Sequence, residues 1–278
     1  MRKKVGIVGY GYVGRAMHRF FGNHYDVLVN EVAVRDEDKG LANFVGHDEI
    51  NGCDLSLICV PTPSKEDGSC DVSMVDEVVS WIDTPLVILK STVEIGTTDR
   101  LFLETSKPIV FSPEYCGESK YWSPYLWDRD VKEMPFFIFG GKSEHTSMAV
   151  DFYAMVAGPV KKYVQTTASA AEMAKYMENS FYATKILFCY EMAEICAKAG
   201  IDYNSVRELW LMDPRINPMH TAVFGSNDMP FSGKCLPKDI EALRSYSIDK
   251  LGYDPELLKG VIETNKNIGD NRRKRRNK

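Results

Sequence analysis

Short, nearly unbroken apolar runs recur through the first half of the chain, at residues 5–8, 27–29, 55–60, 86–89, 109–111 and 136–139. Each is rich in Val, Ile, Leu or Phe and is bounded by Gly, Pro, Asn, Asp or Ser. Runs of this kind suit strands covered on both faces, as in a parallel sheet with helices above and below it. The intervals leave room for crossover helices, for example over 15–21 and 74–81. After Pro159 the pattern changes, because neither Gly nor Pro occurs again until Gly200. The intervening SAAEMAKYMENSFYATKILFCYEMAEICAKAG is dense in helix formers, and Gly200 is placed as a C-terminal stop. A helix of about 30 residues is expected there, about 45 Å long. DYNSVRELWLM and PKDIEALRSYSIDKL predict further helices around an irregular segment at 213–233. The fold class expected is α/β, a Rossmann-type parallel sheet domain over 1–160 followed by an all-helical domain over 161–278 with one long central helix.

Composition narrows the class. A length of 278 residues, 44% hydrophobic and 26% charged, is that of a globular protein with a sizeable core, which excludes disordered and fibrous classes. The net charge of −5 hides an asymmetry: six of the last seven residues, RRKRRNK, are Lys or Arg, and the body before them is acidic. The basic tail, 271–278, is expected to be solvated and flexible, and nothing else points to nucleic acid. The start, MRKKVGIVGYGYVGR, is interrupted by four glycines and reads as a buried strand and turn, not a signal peptide. No run of 18 apolar residues occurs, and the expected location is cytoplasmic. The seven cysteines (53, 59, 70, 116, 189, 196 and 235) are scattered, with no C-x-x-C pair or His cluster, which argues against a disulfide framework and a metal site.

The segment KKVGIVGYGYVGRAMHRFF places Gly9, Gly11 and Gly14 in a G-x-G-x-x-G pattern, directly after a strand and at the start of a helix, and Tyr12 and Val13 within the pattern are expected to contact the cofactor with the glycines. One glycine permits the tight turn, one lets the backbone approach a pyrophosphate, and one lets helix and strand pack closely. The helix N-terminus offers N–H groups to the phosphates. Glu31, 17 residues beyond Gly14 at the end of a second strand, can accept hydrogen bonds from ribose hydroxyls and repel a 2′-phosphate, which favours NAD over NADP. Asn30 is the alternative if the register shifts by one.

The stretches GYGYVG (9–14), VPTP (60–63), KSTVEIGTT (90–98), SPEYCGES (112–119), EMAKYMENSFYATKI (172–186), DPRI (213–216) and CLPKD (235–239) occur in an order, and over a span, that resembles the UDP-glucose/GDP-mannose dehydrogenase family. The resemblance implies NAD-dependent oxidation of a nucleotide sugar's primary alcohol to a carboxylate in two hydride transfers. A thiolate can hold the intermediate aldehyde as a thiohemiacetal and then a thioester, and Cys235, flanked by Lys234 and Lys238, is the candidate nucleophile. Lys175 and Asn179, four apart, share one helix face; the resemblance assigns them to oxyanion stabilisation and substrate binding. It likewise makes Glu114 the acid/base residue that also meets substrate, Glu118 and Lys238 cofactor contacts, and Asp239 and Thr92 assistants of the hydrolytic water. Thr92 also orients the nicotinamide, Thr62 touches the cofactor, and Arg215 and Ser232 face the substrate. A homodimer through the long helix is implied too.

Two features depart from the family pattern. Members normally continue into a further nucleotide-binding α/β domain, whereas this chain stops shortly after VIETNKNIGD, in the manner of a short form. Ser232 in MPFSGKC stands where a glycine is usual, and a side chain there obstructs or re-aims a close approach to the backbone. Substrate identity therefore stays open. A two-electron β-hydroxyacid-type dehydrogenase and a non-catalytic nucleotide-binding protein are the competing readings; a covalent thiol is needed only by the four-electron reaction.

Overall fold

The computed structural model describes residues 2–116, 130–223 and 229–276. Eight strands form one sheet: β1 (Lys4–Val8), β2 (Asp26–Asn30), β3 (Asn43–Phe44), β4 (Leu55–Ile58), β5 (Val87–Leu89), β6 (Ile109–Phe111), β7 (Phe136–Gly140) and β8 (Lys162–Thr166). Their spatial order is β3-β2-β1-β4-β5-β6-β7-β8. Every neighbouring pair is parallel except β6 and β7, which meet antiparallel at Phe111 and Gly140. The order reverses at β1, whose successors lie on opposite sides of it, and an open sheet of this kind takes its ligands outside the C-terminal ends of its strands at such a reversal.

The helices are α1 (Tyr12–Phe21), α2 (His47–Asn51), α3 (Ser73–Trp81), α4 (Thr97–Thr105), α5 (Ser143–Ala157), α6 (Ala168–Ala199), α7 (Tyr203–Trp210), α8 (Leu236–Leu251) and α9 (Glu256–Arg276). Two apolar cores flank the sheet. Val5, Ile7, Leu55, Leu57 and Ile88 pack with Met17, Phe20 and Phe21 of α1 and Phe152 and Tyr153 of α5. Val8, Ile58, Val87 and Leu89 pack with Ile50 of α2, Val75, Val78 and Val79 of α3 and Leu101 of α4. Successive residues of β5 thus serve opposite cores, which is why its sequence shows no polar alternation.

The expected α/β class is the observed one: a mostly parallel sheet with helices on both faces, then a helical region with the long helix, 32 residues in α6. Two strands were absent from the sequence reading. β3 has two residues. β8, KYVQT, is an edge strand whose exposed Lys162 and Gln165 break the apolar run. The last helix, α9, was not singled out either, and it carries the chain to Arg276 within the basic tail.

The chain divides into two compact units, Met1–Pro63 with Asp71–Lys175, and Ser64–Cys70 with Tyr176–Lys278. The second has its own core, built from Ala183 and Leu187 of α6, Phe231, Ile240 of α8, and Val261 and Ile262 of α9. Among the described residues no helix is long and apolar enough to cross a membrane.

Candidate active site

The glycine turn is built by steric necessity at two of its three positions. Gly9 has φ +93°, and a Cβ there would lie 2.7 Å from the Cys59 carbonyl oxygen. A Cβ on Gly14 would lie 2.1 Å from the Gly9 carbonyl oxygen, so α1 approaches β1 only without a side chain. Gly11 differs, since a Cβ there would meet nothing within 4 Å. It caps α1 with no side chain over the first turn, and that turn, Tyr12, Val13 and Gly14, holds no acidic residue. A backbone open to approach at the positive end of a helix fits the pyrophosphate of a dinucleotide.

Glu31 follows β2 and lies against this turn: one carboxylate oxygen accepts from the Tyr10 amide at 2.7 Å and the other from the Ala33 amide at 3.0 Å. Asn30 is engaged elsewhere, its Nδ2 donating to the Val45 carbonyl at 2.9 Å. The carboxylate just after β2, and not the neighbouring Asn30 amide, therefore lies beside the glycines.

Farther along the same edge, the loops after β4 and β5 are tied together. Thr62 Oγ1 donates to the Thr92 carbonyl at 2.6 Å, and Ser91 Oγ donates to the Val60 carbonyl at 2.7 Å. Just beyond β6, Glu114 is buried; one oxygen accepts from the Tyr115 and Cys116 amides at 2.8 and 2.9 Å, and the other lies 3.3 Å from Lys90 Nζ. Burial works against its charge, but the Lys90 ammonium and the two amides prevail and hold the carboxyl below its ordinary range. Lys175, near the start of α6, places its ammonium 4.8 Å from the centre of the Tyr115 ring, a cation–π distance. One turn earlier Glu172, fully buried, accepts from the Gly96 amide at 2.6 Å and from the Thr98 amide and hydroxyl at 3.0 and 2.7 Å. A side chain of α6 thus caps α4. Glu118 lies outside the described residues.

In the second unit, Cys235 is the N-cap residue of α8. Of the seven cysteines it is the one that is exposed. The contrast is chemical, because burial pushes the Cys53 thiol up to about 11 and the Cys59 thiol up to about 12, where they are inert. Asp239, one turn into α8 and buried, accepts from Asn179 Nδ2 with one oxygen and from Lys238 Nζ with the other, both at 2.5 Å. Ser232, Gly233 and Lys234 are exposed before the sulfur, and Gly233 has φ +100°. The segment is anchored at Phe231, whose N–H and C=O pair with the side-chain amide of Asn265 from α9 at 3.2 and 3.0 Å. Arg215 is exposed and forms a double contact with Asp213 two residues earlier, at 2.6–3.1 Å.

The structure thus brings Glu31 to the glycine turn, Thr62 to Thr92, and Asn179 and Lys238 to Asp239. Sequence reasoning missed Lys90, Glu172 and Asn265. Lys90 and Glu172 open the quoted stretches KSTVEIGTT and EMAKYMENSFYATKI and Asn265 lies in VIETNKNIGD, but their partners lie far off in sequence.

The UDP-glucose/GDP-mannose dehydrogenase family, NAD binding domain, matches residues 30–150, and the central domain of the same family matches residues 169–267. The UDP-glucose 6-dehydrogenase of Rickettsia prowazekii is 31% identical over 229 residues, covering 78% of this chain and 50% of that protein. The chain spans about half the length of the curated relatives it matches. A UDP-glucose dehydrogenase structure from Pyrobaculum islandicum superposes with a TM-score of 0.77 at 23% identity, over 96% of this chain and 68% of that one. The Mycobacterium tuberculosis 3-hydroxyisobutyrate dehydrogenase shares the fold with a TM-score of 0.68 at 15% identity, over 95% of this chain and 92% of that one. With an NAD-binding domain and a central domain matched in that order, the chain belongs to the UDP-glucose/GDP-mannose dehydrogenase family.

Proposed function

We propose that this protein oxidises the primary alcohol of a nucleotide sugar, of the UDP-glucose type or a smaller related alcohol, to the carboxylate through a covalent intermediate on Cys235. The observation that carries the reading is the exposed sulfur at the N-cap of α8, with the buried Asp239 one turn on and held by Asn179 and Lys238. The positive end of a helix is a setting that serves a thiolate nucleophile. NAD supplies the hydride acceptor for each of the two oxidations, held by the turn from Gly9 to Gly14 and by Glu31.

The chain's own groups account for the remaining chemistry. The sulfur of Cys235 adds to the aldehyde carbon left by the first oxidation, giving a thiohemiacetal. Loss of a second hydride converts this to a thioester. Water then attacks the thioester carbonyl, the C–S bond breaks, and the sulfur leaves as the carboxylate forms. Lys175 stabilises the oxyanion, Asn179 holds the substrate, Glu114 is the acid/base residue, Asp239 and Thr92 assist the hydrolytic water, and Thr62 contacts the cofactor. Lys238 and Glu118 complete the cofactor contacts, and Arg215 and Ser232 meet the substrate. In this division of labour, residues 1–160 bind the dinucleotide and 161–278 bind substrate and dimerise.

The homodimer forms through α6, on which Met173, Met177, Phe181, Phe188 and Ile195 are exposed, at spacings that bring them to one side of the helix. A cytoplasmic setting accords with seven free cysteines.

The test is the count of NADH formed per UDP-glucose consumed. The expected result is two, with Cys235→Ser stalled after the aldehyde. One NADH per substrate would make this a two-electron β-hydroxyacid-type enzyme, and none, with NAD still bound, a nucleotide-binding protein. Full turnover by the Cys235→Ser variant would refute the covalent role.

A further inference from the structure

Lys90 and Glu114 follow adjacent parallel strands. The β5–β6 register pairs Leu89 with Phe111, so the next position on each strand path brings Lys90 beside Ser112, with Glu114 two residues farther on. The lysine is buried with its carboxylate partner, their side chains only 3% and 7% exposed. Its ammonium lies 3.2 Å from the Pro113 carbonyl, 3.4 Å from Ser112 Oγ and 3.3 Å from the free-side oxygen of Glu114. A buried ion pair contributes little net stability, and well-packed apolar residues of similar volume commonly do as well. Stability alone is therefore a weak account of a charge placed at the edge where an open parallel sheet does its chemistry.

We propose that Lys90 is a positioning residue for the reaction: it keeps the Glu114 carboxylate charged and aimed at the C-terminal edge of the sheet, so that Glu114 acts there as a base. The inference rests on the reading of Glu114 as the acid/base residue. The geometry divides the carboxylate's two oxygens between two tasks. One is taken by the Tyr115 and Cys116 amides, which fix its orientation. The other has the ammonium at 3.3 Å, beyond the 2.7–2.9 Å of a strong charge-assisted hydrogen bond, and retains acceptor capacity for a proton.

The groups that face this pair from neighbouring elements are Tyr153 of α5 and Cys59 after β4, with Cys116 on the same loop as Glu114. Burial pushes both Tyr153 and Cys59 up to about 12, so neither carries charge near neutral pH. Burial also opposes the charge of Lys90, but its neighbours, Glu114 among them, raise it overall. The lysine and the carboxylate therefore stay ionised together, and the cation is what Glu114 would lose in a Lys90 variant.

The experiment is a pH titration of the Glu114 side-chain carboxyl by carbon-13 NMR on glutamate-labelled protein, assigned by its loss in Glu114→Gln. The pH profile of UDP-glucose oxidation runs alongside. In Lys90→Met the titration midpoint and the acid limb of the profile are expected to rise by about one pH unit or more, while Lys90→Arg keeps both near wild type. If Lys90→Met does not fold, Lys90→Gln, which retains donors but no charge, takes the same measurement. A folded neutral variant that titrates as wild type overturns the proposal. Failure of the underlying reading is distinct: Glu114→Gln would then oxidise substrate with the wild-type profile, whatever Lys90 does to the titration.

Discussion

Replacing Glu172 with alanine removes a carboxylate that has no exposed surface and accepts three hydrogen bonds. The amides of Gly96 and Thr98 belong to the first turn of α4, where the helix itself provides no acceptor, and the cap at Gly96 has no side chain. The variant leaves the part-buried Gly96 N–H, the buried Thr98 N–H and the Thr98 hydroxyl unmatched, at about 1–3 kcal/mol for each group that water cannot reach. Part of this is returned, because burial raises the Glu172 carboxyl above its ordinary range and the charged form is itself costly there. The net loss is expected to be about 3 kcal/mol, which for a chain of this size lowers Tm by roughly 6–12 °C. Circular dichroism during thermal unfolding reads it directly. Thr98→Val, which loses only the hydroxyl contact, should cost about 1 kcal/mol. The sign with pH is a second check. A raised folded-state carboxyl favours the native state most below its unfolded value and loses that contribution as pH rises through the folded one. The Tm gap between wild type and Glu172→Ala should therefore narrow as pH increases. A Tm for Glu172→Ala within about 2 °C of wild type would refute the capping argument.

Gly14→Ala and Gly11→Ala separate packing from ligand approach. The first, with its Cβ 2.1 Å from a backbone oxygen, should lower Tm and abolish NAD binding. The second meets nothing within 4 Å and should keep the fold to within about 1 kcal/mol while weakening NAD at least tenfold by calorimetry; unchanged affinity would remove Gly11 from the site. Phe181→Glu puts a charge into the exposed stripe of α6 and should turn a dimeric wild type into a monomer by light scattering, whereas a wild type already monomeric at every concentration would defeat the dimer proposal. His220, at φ 62°, is pushed down to about 4 by burial and the nearby Lys185, so it folds neutral. Its contribution is present above the ordinary histidine range near 6.5 and is lost as pH falls toward 4. His220→Asn, suited to the same backbone, should flatten that part of the urea-midpoint profile, and an unaltered slope would exclude His220 as its source.

Most of the sheet was legible because a strand covered on both faces advertises itself. Leu86 and Ile88 serve one core and Val87 and Leu89 the other, so the run shows no polar break. The same logic explains the miss at β8, where Lys162 and Gln165 look outward and the sequence reads like a polar connection. In α9, Leu258, Val261, Ile262 and Ile268 keep a helical spacing toward the second core, but Gly260, Gly269 and three asparagines between residues 265 and 271 obscured it. The glycine turn was readable because its chemistry is local. Lys90 and Glu114 are 24 residues apart, and Glu172 and Gly96 are 76 apart; no pattern in the chain announces such partners until strand register and helix placement are known.

The two buried glutamates show what that missing information decides. Glu114 and Glu172 are the same residue type, both lie at or near full burial, and both accept a pair of backbone N–H bonds. Backbone donors alone do not overcome burial: with them and a threonine hydroxyl, the Glu172 carboxyl still rises. At Glu114 the shift runs the other way, and the largest influence opposing burial is the ammonium of Lys90. Environment, not residue type, therefore separates the carboxylate that a lysine holds in its charged form from the one whose charge burial opposes. A lysine at the end of one strand makes the difference, because a parallel neighbour sets its charge beside the chain that leaves the next strand.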